Sequence, residues 1–515
     1  MDDFLTAVRT VKRDGDAKPE PHLNAVQTRA TPRIDTRDRN NQADQKAAQH
    51  GFLQPASKDA NQVTSAKDVL QVLRSQPSTE TVLSILKQLS SPGILEDGFD
   101  LDAPGPLQAQ IINTLVGSTV PHFWSSLAKN DKLILIGCLT NVAGMNAVIA
   151  RLKLLTGQTR GQEALNHHLA LAELLEVARL LFQAPDAISN IWEGLHNHAD
   201  NQVKRDLAWK ELVNLLGSGK VTSIVAEAED TVRSADSKAK TTWLSNGTEY
   251  ADWLGRSLAR LASWRPSSDM RSSSQSAAQL LARAFGLGYP VALVKSLHCE
   301  ILRGTIEHGL QDHCARFCDL LGALQSHNKR QYLDISLRWL STLPSAEQGT
   351  SEEETSKAVT AVTAVLHQIL KEQDTLQHHL LSMLNDATSN TSLSRTVRRA
   401  SIAVLASLVP EDLESAVEKQ LTSFGEPLFI KHAPIIQQQS LAQTVLLAAG
   451  YIHRANPMAL LMAARGSGHM QGVSNRLEAS NTRARWLGMI VGTALSSLVD
   501  KDRMKMNFGT SDMET

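Results

Sequence analysis

The chain has 515 residues, with 52 Lys and Arg against 53 Asp and Glu, and a formal net charge of −1. This balance excludes a global electrostatic field of the kind that draws a whole protein to nucleic acid or to an anionic membrane. Hydrophobic residues make up 42% of the chain but aromatic residues only 4%. Leu and Ala therefore carry much of the apolar content, which favours helices.

Residues 1–64 are predicted to form a largely disordered arm. They mix Arg, Lys, Asp, Gln, Asn and Pro with few large apolar residues, as residues 33–42 illustrate. Such a segment buries too little apolar surface to offset an ordering entropy of roughly 1–2 kcal/mol per residue. Residues 1–4 carry acidic side chains where a secretory signal carries positive charge. We therefore expect an intracellular protein.

Residues 65–505 show helical periodicity throughout. Apolar side chains recur at the spacing of a 3.6-residue period, which places them on one face of a helix. Four such stripes are Val82, Ile85, Leu86 and Leu89; Val142, Met145, Ile149 and Leu152; Val359, Val362, Leu366 and Leu370; and Leu441, Val445, Ala449 and Ile452. Short breakers containing Gly, Pro or Ser separate the stripes, and the alternating patterns typical of strands are scarce.

About twenty helices joined by short loops favour a stacked array over separate globular domains. Because no exact repeat period is present, we predict an all-α fold, an irregular HEAT-like α-solenoid. A large helical bundle, or several packed bundles, is the alternative that the periodicity leaves open. The most apolar stretch, residues 486–499, is interrupted by Gly488, Gly492 and two serines. We interpret it as a buried helix and predict no membrane span.

Two polar segments, 264–276 and 343–357, are predicted to be soft boundaries within the helical region. The second contains Ser351, which is followed by three glutamates ending at Glu354. This sequence suits phosphorylation of Ser351 by an acid-directed kinase. It equally suits a capping box, with Ser351 at the N-cap and Glu354 at the third helical position.

One glycine-rich turn invites a phosphate-loop interpretation. Residues 217–220 read Gly-Ser-Gly-Lys, but Asn214 stands where the motif needs Gly, and Val221 stands where it needs Ser or Thr. No strand is predicted before this turn. We therefore predict a turn between two helices.

The most metal-like group of side chains comprises His298, Cys299, His313, Cys314 and Cys318. A closed zinc site needs four ligands, which short knuckles normally supply rather than one helix. A role as small buried apolar groups is therefore favoured for these cysteines. Four cysteines in the whole chain also indicate a reducing compartment rather than a disulfide framework. Because no catalytic motif occurs either, we predict no enzyme activity, no metal and no cofactor.

Two groups of arginines are the candidate contact residues. They are Arg395, Arg398 and Arg399, at helical spacing, and Arg476, Arg483 and Arg485, close to Trp486. Arginine clusters can bind phosphates. A solvated helix face, or contact with an acidic partner, is the favoured interpretation for both groups.

Several short motifs occur in a characteristic order along the chain. The stretches that carry them are 102–111, 139–153 and 475–500. The last begins Asn475-Arg476-Leu477 and continues with Arg-Ala-Arg at 483–485 and Leu-Gly-Met-Ile-Val-Gly at 487–492. In order and spacing these motifs resemble the telomere length regulation protein family, and they match its N-terminal solenoid region.

The resemblance implies a HEAT-like solenoid that works in a ternary co-chaperone complex (TTT) with two other helical-repeat subunits. In that family the complex helps the Hsp90 chaperone system to mature the phosphatidylinositol-3-kinase-related kinases. DNA-damage checkpoint signalling and telomere length control then depend on those kinases. The implied location is the cytoplasm and the nucleus, including telomeric chromatin.

The last ten residues of the chain are also part of the resemblance. Family members continue through an acidic, serine-containing linker into a further helical domain. Residues 506–515 are predicted to begin this disordered acidic linker, and Ser511 within it is a second candidate phosphosite. The resemblance therefore predicts retained contacts with kinases and leaves assembly with the partner subunits in doubt.

Two alternatives to a kinase-maturation scaffold stay open. One is a helical protein that binds telomeric or single-stranded DNA through the arginine groups. The other is a generic helical-repeat adaptor, which would have the same fold and different partners. No membrane partner is expected.

Overall fold

The computed structural model describes residues 64–75, 77–91, 95, 98–158, 164–198, 201–235, 241–264, 270–308, 310–343, 352–506 and 508. All of them belong to one compact unit, Lys58–Thr515. The predicted arm 1–64, except for its last residue, and most of the predicted linker lie outside the described residues. The candidate phosphosites Ser351 and Ser511 lie outside them as well.

The described residues form helices and no strand. The helices of the first half are α1 (Ala66–Arg74), α2 (Thr79–Leu89), α3 (Pro106–Thr114), α4 (Val120–Phe123), α5 (Lys129–Leu139), α6 (Val142–Gln158), α7 (Ala164–Gln183), α8 (Ala187–His198), α9 (Gln202–Leu216), α10 (Lys220–Ala235), α11 (Gly247–Ser263) and α12 (Met270–Ala284). A π-helical turn, Leu115–Thr119, joins α3 to α4.

The helices of the second half are α13 (Pro290–His308), α14 (Leu310–Ala323), α15 (Ser326–Thr342), α16 (Glu352–Leu370), α17 (Asp374–Asn385), α18 (Ala387–Thr391), α19 (Arg395–Leu408), α20 (Pro410–Gly425), α21 (Pro427–His432), α22 (Ile435–Ala455), α23 (Pro457–Arg465), α24 (Ser467–Leu477) and α25 (Thr482–Val499). Short 3₁₀ turns occupy Trp243–Ser245, Phe285–Leu287 and Asp502–Met504.

Short polar side chains and prolines mark where many helices begin. Ser65, Ser78 and Ser394 each accept a hydrogen bond from the backbone N–H three residues further on, as N-cap residues do. Pro427 and Pro457 stand in the first turns of α21 and α23. A missing N–H costs nothing there, because the first N–H groups of a helix have no partner within it.

Most helices pack against helices that are close to them in the chain. α6 contacts α7 and α10, α11 contacts α13, α16 contacts α19, and α22 contacts α25. This near-neighbour packing is typical of a stacked helical array. The predicted stripe on α2 faces inward, because Val82, Ile85 and Leu86 are fully buried. The prediction of an all-α, solenoid-like fold is confirmed.

Helical packing continues across both predicted soft boundaries. The segment 264–276 becomes helical at Met270, where α12 begins, and α11 contacts α12 and α14. The segment 343–357 becomes helical at Glu352, and α15 contacts α17 and α19 beyond it. Within the described ranges, both segments connect packed helices.

No single helix among the described residues is both long enough and apolar enough to cross a bilayer. Lys129–Leu139 and Val142–Gln158 meet the length and composition criteria only as a pair, bent by 106° at the break between them.

Candidate protein-interaction site

Arg476 is enclosed by the packing of α20, α22, α24 and α25. Its side chain is fully buried. Nε donates to the Phe424 carbonyl at 2.8 Å, and Nη1 donates to Gln438 Oε1 at 2.9 Å and to the Ala484 carbonyl at 3.4 Å. The guanidinium carbon also lies 3.4 Å from the centroid of the Phe424 ring. Burial lowers the pKa of Arg476 to about 9, so the group stays charged at neutral pH.

Arg398 is buried in a similar manner within α19. Its Nε donates to Asn390 Oδ1 at 2.8 Å, and its Nη2 donates to the carbonyls of Asn390 and Leu393 at 2.9 and 3.1 Å. Nη1 donates to Gln443. Burial lowers the pKa of Arg398 to about 10. The prediction that Arg398 and Arg476 contact a phosphate or a partner is therefore wrong, because both guanidinium groups serve neutral acceptors inside the protein.

Of the other four candidate arginines, three are exposed and one is partly buried. Arg395 and Arg399 are exposed one turn apart on α19, and neither forms an ion pair or hydrogen bond through its side chain with the described residues. Arg483 is exposed and lies over the Trp486 ring, 4.0 Å from its centroid. Arg485 is partly buried, and its Nη1 donates to the Ala479 carbonyl at 2.7 Å. Each predicted group is thus divided between interior and surface.

The motif at 475–492 forms one packed junction between helices. A Cβ placed on Gly488 would lie 2.6 Å from Arg476 Cβ, so α25 approaches Arg476 as closely as a glycine allows. Asn475 Nδ2 donates to the Gly425 carbonyl at 2.9 Å. A Cβ on Gly425 would lie 2.3 Å from Gly472 Cα, so α20 and α24 cross at glycines. These residue types are therefore explained by packing.

A cleft of ≈ 260 Å³ lies between α20 and α23, and we call it the α20–α23 cleft. One wall carries the carboxylates of Glu411, Glu414 and Glu418. These residues share a face because their spacing of three and four matches the helical period. The opposite wall is apolar and includes Ala459, Met462 and Ala463.

The start of α23 is tied to α20 by one side chain. Asn456 Nδ2 donates to Glu414 Oε1 at 3.0 Å, and Asn456 Oδ1 accepts from the Ala459 backbone N–H at 3.3 Å. Asn456 thus caps α23 and engages the central glutamate of the cleft. Glu411 and Glu418, which lie on either side of Glu414, are exposed and form no ion pair with the part of the chain that the structure describes.

Exposed large apolar side chains concentrate in the same part of the protein. Met458 and Met462 lie one turn apart on α23 and are 64% and 68% exposed. Others from this region are Leu428, Ile436, Met470, Leu477 and Met504. The two methionines, exposed on one helix beside the cleft, form a flexible apolar surface suited to contact with another molecule. Sequence reasoning missed this surface, although the spacing of the glutamates and methionines could have indicated it.

His298, the first residue of the metal-like group, belongs to the core. Its Nε2 lies 2.9 Å from the hydroxyl of Tyr332, and its ring stacks on Trp339 at 5.1 Å between centroids. Burial lowers the pKa of His298 to about 3, so the imidazole is neutral. The adjacent Cys299 is exposed. No three His, Cys, Asp or Glu residues within the described ranges are grouped so that they could hold a metal ion.

Comparisons with known proteins identify no family for this chain. No protein-family model matches it, and no curated protein sequence matches it. One similar solved structure is described as the crystal structure of an engineered protein from a structural genomics consortium. The similarity covers 84% of this chain and 98% of that one, at 12% identity and a TM-score of 0.17. A score this low supports no conclusion about fold or function.

Proposed function

We propose that this protein is a non-enzymatic scaffold, a co-chaperone subunit that supports the maturation and stability of phosphatidylinositol-3-kinase-related kinases. On this proposal it acts in the cytoplasm and nucleus with the Hsp90 system and with two other helical-repeat subunits. DNA-damage signalling and telomere length control would follow from the kinases. A stacked helical array suits this work because it offers extended surfaces to large partners.

One observation carries the proposal. The stretch that resembles the telomere length regulation family is the stretch in which Arg476 and Gly488 pack together to join α20, α24 and α25. In this chain its residue types therefore meet a packing requirement. The exposed Met458 and Met462 nearby add a surface suited to protein contact.

The test is affinity capture of the tagged chain from cells, followed by mass spectrometry. We expect recovery of large kinases of this class together with Hsp90 co-chaperones, and a fall in the abundance of those kinases when the protein is depleted. An unrelated tagged helical-repeat protein is the control. Recovery of neither kinases nor co-chaperones, with kinase abundance unchanged, contradicts the proposal and leaves a generic adaptor as the better description.

A further inference from the structure

The α20–α23 cleft has two walls of different chemistry. The wall on α20 is acidic, and its outer members, Glu411 and Glu418, stand seven residues apart on one face. At 1.5 Å per residue their backbones are separated by roughly 10.5 Å along the helix. The wall on α23 presents small side chains at Ala459 and Ala463, with Met462 beside them. Small residues let another backbone approach closely, so this wall suits a helix.

The charges of the acidic wall are not compensated within the described protein. Glu414 is engaged by Asn456, which is neutral. On the same helix Asp412 lies 3.9 Å from His378, whereas Glu411 and Glu418 form no ion pair with described residues. Two exposed carboxylates beside an apolar wall favour a ligand with positive charge on one flank and apolar side chains on the other.

Met462 belongs to the apolar wall, and Met458 lies one turn before it on α23. Met458 and Met462 are more than half exposed, at 64% and 68%. Methionine side chains are flexible and polarisable, so they adapt to the apolar face of a bound helix. The helix-in-groove mode of recognition uses such surfaces.

We propose that the α20–α23 cleft binds a basic amphipathic helix of a partner protein. Its apolar face lies on Ala459, Met462 and Ala463, and two Lys or Arg side chains about two turns apart meet Glu411 and Glu418. The inference rests on the proposed function in one respect, because it takes the protein to act by binding other proteins. It specifies the chemistry of the partner, which that function does not.

The experiment begins with selection from a displayed library of 20-residue helical peptides. Every peptide keeps one Leu and Ala stripe, and its polar positions vary among Lys, Arg, Glu, Asp and Ser. The full chain is the target, and an E411K/E418K variant is used for counter-selection. We expect enrichment of Lys or Arg at positions seven residues apart. Enrichment of acidic residues, or no charge preference, overturns the proposal.

The best peptide, labelled with fluorescein, is then titrated by fluorescence anisotropy. We expect E411K/E418K to weaken its binding at least tenfold. The control E211K/E227K makes the same change of net charge at two exposed glutamates of α9 and α10, and it should leave binding within twofold. Equal losses in the two variants contradict a specific role of the cleft.

A second pair of variants tests the apolar wall. M458S/M462S should weaken binding at least fivefold without changing its dependence on salt concentration. V203S/L207S is the matched control, because Val203 and Leu207 have the same spacing on α9 and similar exposure, 71% and 60%. Circular dichroism verifies that all variants are folded. If M458S/M462S binds the peptide as tightly as V203S/L207S and the wild type do, the proposal fails.

Kinase capture with the same variants separates this inference from the proposed function. If kinases are recovered from cells but the selection yields no basic peptide, the inference is overturned and the proposed function is not. Peptide binding at the cleft without recovery of kinases overturns the proposed function alone. A different outcome is that no selected peptide binds, that the wild-type chain forms a dimer and that E411K/E418K abolishes this dimer. In that case a second copy of the chain occupies the cleft, and the inference is wrong.

Discussion

Gly488 and Arg476 are in such close contact that a Cβ at position 488 would lie 2.6 Å from Arg476 Cβ. The atom that would be met is the first of the side chain and is fixed to the backbone of α24, so it cannot swing aside. We therefore expect G488A to destabilise the protein by about 1–3 kcal/mol, the usual cost of overpacking a core. Urea unfolding followed by circular dichroism measures the change.

Gly450 supplies the control for this substitution. It lies within α22, and a Cβ there would meet nothing within 4 Å. G450A should therefore be neutral or stabilising by up to about 1 kcal/mol, because alanine favours the helix. If G488A and G450A behave alike, the close packing of α24 and α25 is not a constraint on position 488.

The second prediction concerns the buried guanidinium of Arg476. Substitution by Met fills similar space but leaves Gln438 Oε1 and the Phe424 carbonyl without their donor. Unsatisfied buried acceptors cost about 1–3 kcal/mol each, so we expect R476M to lose roughly 2–5 kcal/mol of stability. R399M, at an exposed position, should change stability by less than about 0.5 kcal/mol. Equal losses of stability in R476M and R399M would mean that the hydrogen bonds of Arg476 contribute nothing to the free energy of unfolding.

The arginines also show what sequence reasoning could and could not predict. Helical periodicity predicted the fold because apolar stripes such as Val82 to Leu89 report burial directly. Arg395, Arg398 and Arg399 looked alike in the sequence, yet only Arg398 turns inward. Its acceptors include Gln443 on α22, 45 residues away in the chain. Such a partner has no local signal, because it depends on how helices stack.

The α20–α23 cleft illustrates the same limit at the level of the site. The spacing of Glu411, Glu414 and Glu418 is visible on α20, and that of Met458 and Met462 is visible on α23. Each pattern alone describes an ordinary solvated helix face. Only the packing of α20 on α23 places the three glutamates and Met462 around one cleft.

The third prediction is a loss of stability in mild acid through His298. Burial lowers the folded-state pKa of His298 to about 3, whereas the unfolded chain titrates near 6.5. Between these values the unfolded state binds more protons, so the free energy of unfolding falls as the pH falls from 6.5 toward 3. From pH 7 to pH 5 we expect a loss of roughly 2 kcal/mol from this residue.

H298Q isolates this contribution, because Gln can still accept the hydrogen bond of the Tyr332 hydroxyl but does not titrate. The stability difference between wild type and H298Q should shrink by about 2 kcal/mol between pH 7 and pH 5. Burial also lowers the pKa of His469, which adds a loss of the same sign in both proteins. A stability difference independent of pH would show that His298 is accessible to protons in the folded state.

The fourth prediction tests the nucleic-acid alternative through the exposed pair Arg395 and Arg399. Arg398 and Arg476 are buried, so neither group of three arginines keeps all its members available for phosphate contacts. We therefore expect no measurable binding of a G-rich single-stranded oligonucleotide, even at low salt, in anisotropy titrations. R395E/R399E is the comparison variant. If binding is observed, and this variant lowers the slope of log affinity against log salt by roughly 1.4, the value for two single-strand phosphate contacts, then nucleic-acid binding replaces the scaffold as the better proposal.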